Sequence, residues 1–95
     1  MKARLVWYDK VHDREDNIRE IKIWRVKSTP DKPHGYKYSL VYIVNGRRVI
    51  GYDNAKGKGD HRHYEDNIEP YRFEGVDKLI EDFYSDIQRY REEIL

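Results

Sequence analysis

Asn45-Gly46 stands between two runs rich in β-branched and aromatic residues, 36–44 and 47–53, and no other feature constrains the fold as tightly. Asn-Gly fills the positive-φ positions of a two-residue type I′ turn, so the two runs are expected to pair as an antiparallel hairpin.

The flanking sequence extends this pattern. Over 3–8, Ala3, Leu5 and Trp7 alternate with Arg4, Val6 and Tyr8, and over 18–26 Ile21 and Ile23 oppose Lys22, Trp24 and Val26. Both have the period of two that marks a strand, and the polar cluster from His12 to Asn17 suits the turn between them. Trp7 and Trp24 would then lie on adjacent strands, where large aromatics usually form a cross-strand core pair. An RNA-stacking platform is the weaker alternative for them. The segment 28–35 (STPDKPHG) holds two prolines and a glycine and is read as a connector. A short fifth strand is expected over 69–73 (EPYRF), confined by Pro70 to a sheet edge or a strand start.

At the C-terminal end, Val76, Leu79, Ile80, Phe83, Ile87, Tyr90 and Ile94 recur at helical spacing, with Gly75 placed to cap and Asp77 in the first turn. The spacing predicts one amphipathic helix over 76–94, its outer face carrying Glu81, Asp82 and Asp86. The expected fold is α+β, an antiparallel sheet of four to five strands packed against one C-terminal helix, in a single domain over 1–95.

Composition narrows the function classes. The chain has no cysteine, which excludes a disulfide framework, a thiolate nucleophile and a thiolate metal ligand. No apolar run approaches the roughly 20 residues that span a bilayer, and the N-terminal stretch does not resemble a signal peptide, so a cytoplasmic location without membrane contact is expected. Lys plus Arg is 19 against 18 acidic residues, a balance that favours no partner by itself. Its distribution is uneven: residues 1–75 carry 16 basic and 12 acidic side chains, and 76–95 carry 3 and 6. A charged fraction of 39% resembles the ion-pair-rich composition of proteins from hot environments.

The stretch from Gly51 to Asp66, GYDNAKGKGDHRHYED, concentrates the chemistry. It is not a nucleotide-binding P-loop, because five residues rather than four separate Gly51 from Gly57, and Gly59 stands where Ser or Thr would ligate magnesium. It does suit an anion. Gly57 and Gly59 let backbone N–H groups face a ligand, and Lys56, Lys58 and Arg62 would add charge where phosphate sits. His61 and His63, two residues apart, project to one side of an extended segment and titrate near neutral pH. Two imidazoles can act as general base and general acid in RNA transesterification, with Lys58 or Arg62 stabilising the phosphorane. Asp60 joins them as a candidate catalytic group, or as the third member of a metal site with His61 and His63. A plain solvated hairpin loop has the same composition.

His34, Tyr36, Lys37 and Tyr38 enter the third strand as a turn with two core-edge tyrosines, or alternatively bring a basic and aromatic patch beside the loop, with Lys37 a candidate RNA contact. His34, Tyr36, Tyr52 and Asn54 are candidates for stacking on a base or orienting the loop, Asn54 through an Asx turn.

The segments WRV, HGYKYSL, GYDNAKGKGDHRH and EPYRF, followed by a helix containing LIEDFYSDI, resemble the TumE family of toxin-antitoxin proteins over most of the chain. That resemblance implies a small prokaryotic toxin, encoded beside a DNA-binding antitoxin and acting inside the cell. Together with the loop it gives three functional expectations. The first is an endoribonuclease toxin using His61 and His63. The second is a non-catalytic module gripping RNA or an acidic protein surface through the same loop, and the third is a metal-dependent nuclease. No cofactor is expected, and a homodimer through an edge strand is compatible with so small a sheet.

Overall fold

The computed structural model describes residues 3–55, 57 and 59–93. Six antiparallel strands follow one another in chain order: β1 (Arg4–His12), β2 (Ile18–Arg25), β3 (Tyr36–Val44), β4 (Arg47–Asp53), β5 (His61–Tyr64) and β6 (Asn67–Pro70). A single helix, α1 (Val76–Glu93), closes the described chain. The fold is the expected α+β arrangement, with one strand more than anticipated. None of the described helix is long and apolar enough to cross a membrane.

The Asn45-Gly46 hairpin forms as its turn chemistry requires, both residues having positive φ (53° and 74°). β1 runs on to His12, beyond the expected 3–8, because Asp9, Lys10 and His12 sit on a sheet edge where one face and one backbone side meet solvent. The turn after it is tied by Asp13, whose carboxylate accepts from the backbone N–H groups of Glu15 and Asn17.

The expected fifth strand over 69–73 resolves differently. Within what reads as loop, His61 to Tyr64 is itself a strand. Its partner is Asn67–Pro70, so the pairing begins earlier and ends before Tyr71. Pro70 ends the outermost strand, where a missing donor costs no ladder bond.

Register assigns every side chain to a face. Asp9, Ile21, Leu40, Tyr52, Arg62 and Glu69 form one row across all six strands. This face meets the helix. Leu79, Phe83, Ile87 and Tyr90 of α1 pack with Ile21, Ile23, Tyr38, Leu40, Tyr42, Ile50 and Tyr52 as the core. Gly75 accepts the first helical bond, from the N–H of Leu79, as expected of an N-cap. Ile94 lies outside the described residues.

The row beside it, Tyr8, Lys22, Ser39, Asp53, His61 and Pro70, occupies the opposite face. No described helix covers that side, and we call it the open face.

The two tryptophans do not form a core pair. Trp7 lies opposite Ile23 and Trp24 opposite Leu5, with a bulge between Leu5 and Trp7, so the two rings leave the sheet on opposite faces. Trp7 is 43% exposed, because the helix packs over the centre of the sheet and does not reach the β1 edge.

Four phenols on the helix side are engaged with carboxylates or buried beside them. Burial, then hydrogen bonding to Asp60, Asp86 and Asp82 respectively, pushes Tyr38, Tyr52 and Tyr71 well above the usual tyrosine range. Tyr64 is pushed up to about 12 by desolvation and by Glu93. Above pH 10 the unfolded chain releases phenolic protons that the native chain retains, so native stability falls as pH rises from 10. Spectrophotometric titration at 295 nm should show these four tyrosines ionising together with loss of near-UV ellipticity. Reversible ionisation of all nine below pH 11 with the fold intact would contradict the packing.

Candidate active site

β5 is the element that decides where the chemistry sits. Its four residues, His61-Arg62-His63-Tyr64, alternate between the faces, placing both histidines on the open face and Arg62 against the helix. The imidazole centroids are 4.9 Å apart and nearly edge to face at 71°.

Asp53, at the end of β4, lies directly opposite His61 and joins the histidines. Its Oδ1 is 2.8 Å from His61 Nε2, and its Oδ2 is 3.7 Å from His63 Nε2. The other nitrogen of His61, Nδ1, lies 3.1 Å from the carbonyl of Gly59, which can only accept, so Nδ1 carries a hydrogen. A second proton therefore sits between Nε2 and Asp53, held by one or the other.

His63 is set from the opposite side. A guanidinium N–H of Arg48 reaches His63 Nδ1 at 3.0 Å, and an arginine can only donate, so Nδ1 accepts and the ring proton belongs on Nε2. Gly51, opposite His63 in the ladder, makes room for this contact. A Cβ there would stand 3.1 Å from Arg48 Cδ and 3.6 Å from the His63 ring. A cavity of about 390 Å³ opens beside the cluster, lined by Asp60, His61, His63, Ile68, Glu69 and Pro70.

Asp53, His61 and His63 also offer ligand atoms that all lie within 4.8 Å of one another. The tautomer of His63 bears on a metal there. A ligating Nε2 needs its lone pair free and its other nitrogen donating outward, whereas Arg48 places a donor against Nδ1. As arranged, the cluster fits proton transfer better than metal coordination.

The other residues singled out in the sequence divide between the faces. Asp60 lines the same cavity, but its Oδ2 accepts from Tyr38 Oη at 2.7 Å and from His34 Nε2 at 2.8 Å. His34 completes the relay by accepting from the N–H of Tyr36 on Nδ1, and its ring packs on Phe73 at 4.1 Å. Asp60 is thus a strut between the loop and the aromatic layer, and Asp53 takes the place beside the histidines.

Arg62 is turned away from any phosphate on the open face. Its Nε and Nη2 bond both carboxylate oxygens of Asp86, at 2.7 and 2.5 Å, and Nη1 reaches Glu69. Hydrogen bonding to Asp86 holds the guanidinium above its ordinary range. Asp86, expected on the solvated helix face, is buried, and its Oδ2 also accepts from Tyr52 Oη at 2.5 Å. Tyr52 is 1% exposed and has no ring face for a base. Tyr36 packs in the layer with His34 and Phe73, its Oη accepting from Arg25.

Asn54 does orient the loop, by bridging β3: its Oδ1 accepts from Tyr38 N and its Nδ2 donates to the carbonyl of Tyr36. The Asx-type bond belongs to Asp53, which accepts from Ala55 N at 3.4 Å. Gly57 and Gly59 have the positive φ expected of them (80° and 69°). The N–H of Gly57 points at an anion, the carboxylate of Asp31 in the 28–35 connector. Lys37 is exposed, its Nζ 5.7 Å from the centre of the Trp24 ring on the open face. Lys56 and Lys58 lie outside the described residues.

Asp53 and Arg48 are the two groups that inspection of the sequence missed. Asp53 follows from the β4–β5 register, in which it stands opposite His61, whereas Arg48 lies outside that pairing and reaches His63 across Gly51.

A family model described as Toxin TumE matches residues 2–91 of the chain. Comparison with curated proteins and with solved structures gives no match.

Two measurements check this arrangement. Asp86→Ala removes the acceptor of both Arg62 and Tyr52 and should cost on the order of 3 kcal/mol, lowering the thermal midpoint by about 10 °C or more. A midpoint within about 2 °C of wild type would show the pair to be dispensable. Long-range ¹H–¹⁵N correlation spectra should place the proton of the neutral His63 ring on Nε2, with that preference lost in Arg48→Ala. A ring protonated on Nδ1 in the wild type would contradict the Arg48 contact.

Proposed function

The chain belongs to the TumE toxin family, and from that premise we propose that it is an endoribonuclease toxin working by histidine acid-base chemistry. The observation that carries this reading is the open-face cluster itself. Two imidazoles lie in edge contact, one sharing a proton with a carboxylate and the other masked by a guanidinium.

Cleavage by transesterification needs a base for the ribose 2′-hydroxyl and an acid for the leaving 5′-oxygen. Arg48 is the natural phosphate ligand of the cluster, since a guanidinium binds phosphate oxygens more strongly than an imidazole nitrogen. When Arg48 turns to the scissile phosphate, it uncovers His63 Nδ1, which takes the 2′-hydroxyl proton. The 2′-oxygen then attacks phosphorus and the bond to the 5′-oxygen breaks, while the proton held between His61 Nε2 and Asp53 passes to that oxygen. The products are a 2′,3′-cyclic phosphate and a 5′-hydroxyl, and Arg48 stabilises the phosphorane charge between them. A toxin of this kind acts inside the cell and is held in check by its antitoxin, here a DNA-binding protein encoded beside it.

The test is incubation of the purified chain with several labelled single-stranded RNAs, with and without EDTA, followed by end-group analysis. Chelator-resistant cleavage leaving 2′,3′-cyclic phosphate is expected. His61→Ala and His63→Ala should each lower the rate by roughly 10²- to 10⁴-fold. Cleavage abolished by EDTA and restored by a divalent ion would replace this mechanism with a metal-dependent one centred on Asp53, His61 and His63. No cleavage of any RNA would overturn the nuclease reading.

A further inference from the structure

The open face carries more than the histidine cluster. Its central row, Tyr8, Lys22, Ser39, Asp53, His61 and Pro70, runs unbroken from the β1 edge to the β6 edge and passes through Asp53 and His61 of the proposed site. Beside it, Leu5, Trp24 and Lys37 form a parallel row, and on the other flank Lys10, Glu20, Val41, Gly51 and His63 form a third. The half-buried Trp24 ring has Lys37 Nζ above it at 5.7 Å, and Tyr8 is exposed.

Near Trp24 the face deepens into a hollow of about 570 Å³ whose charged lining is Lys27, Lys37 and the ion pair of Lys32 with Asp31 at 2.8 Å. Of the acidic members of the face, Asp53 lies 2.8 Å from His61, and Glu20 lies 3.5 Å from Lys22 in a partly exposed pair that a phosphate on Lys22 would have to displace. Lys10, Lys37 and Arg48 leave the face positively charged.

A flat antiparallel sheet face with an aromatic ring, lysines around it and catalytic groups in the same row fits an extended polyanion whose units carry flat rings. Duplex RNA does not suit it, because paired bases offer no ring face to a tryptophan. We propose that this face is the substrate platform. Single-stranded RNA crosses the strands from β2 to β5, one base stacks on Trp24, phosphates lie on Lys22 and Lys37, and the scissile phosphate rests over His61 and His63. Three strand spacings and an offset of two to four residues along the strands separate Trp24 from the histidines, roughly 16–20 Å in all, a span of a few nucleotides. Trp24, Lys22 and Lys37 are positioning residues here. The proposal deepens the nuclease reading by naming its substrate class and the register in which it binds.

The chain contains only Trp7 and Trp24, which makes the stacking directly observable. In Trp7→Phe, Trp24 is the sole indole. Titration with a 2′-O-methyl oligouridine, which cannot be cleaved, should quench its emission saturably, in step with the anisotropy of a labelled copy of the oligomer. Trp24→Ala should weaken binding five- to hundred-fold, and Trp24→Phe should restore most of it. Lys22→Ala and Lys37→Ala should each reduce the salt slope of log K by about 0.7. Thermal midpoints, with near-wild-type binding in Trp24→Phe, separate these effects from misfolding.

Anisotropy that saturates while Trp24 emission stays unchanged, equal affinity in Trp24→Ala, tighter binding of duplex than of single strand, or no binding at all would each overturn the platform. The two readings fail separately. Quenching without cleavage of any RNA would keep the platform and reject the nuclease chemistry, whereas histidine-dependent cleavage with Trp24 silent would do the reverse.

Discussion

The ion pair between Arg62 and Asp86 fixes the rest of the molecule. In a strand of four residues, a slip of one position exchanges the faces. Arg62 forestalls that slip. Its guanidinium bonds two oxygens of Asp86 on the helix and Glu69 on the next strand, so the middle of β5 has one acceptable orientation. With Arg62 turned inward, His61 and His63 must turn outward, and both arrive on the face where Asp53 and Arg48 stand. The helix thereby sets the geometry of a site on the far side of the sheet without touching it.

Placing charge beneath a helix is costly, and a well-packed apolar pair would stabilise the fold at least as well. The arrangement is consistent with orientation as its return. Asp86 accepts from Tyr52 as well as from Arg62, so the row Tyr52–Arg62–Glu69 is held by directed bonds where apolar contacts would tolerate slippage. Asp60 does a similar service at the start of β5. It fastens Tyr38 and His34, so the chain enters the strand directly from a position anchored to β3 and to the connector.

How much of this was legible in the sequence depended on how local each determinant is. Asn45-Gly46 specifies its turn within two residues, and the helix declares itself through five turns of apolar spacing, so both were read correctly. β5 was not seen because a strand of four residues, with charged or polar groups at three of them, has none of the hydrophobic alternation by which strands are recognised. What makes it a strand is its pairing with β4 and the Arg62–Asp86 contact across 24 positions of chain. Asp86 was assigned to solvent for the same reason: its partner is distant. The two tryptophans were paired wrongly because a bulge, which leaves no mark in a short alternating pattern, moved one of them to the other face. The candidate residues clustered in one loop by sequence, and the structure splits them, leaving His61 and His63 on the open face with two neighbours contributed by β4.

Site and scaffold have separate chemistries because the sheet keeps them on separate faces. The helix side holds the buried phenols, Asp86 and Arg62, and Asp60, at the rim of the histidine cavity, is held by Tyr38 and His34; such groups are poor reactants since their protons and lone pairs are already engaged. On the open face two contacts are of another kind. Asp53 Oδ2 stands 3.7 Å from His63, beyond a hydrogen bond, and Arg48 holds His63 from a side chain whose Cδ rests above a glycine. An arginine whose partner is an imidazole nitrogen exchanges it for an anion more readily than Arg62 gives up two carboxylates. The two arginines thus follow from their surroundings, the one beneath the helix as structure and the one above Gly51 as the group poised to meet a phosphate.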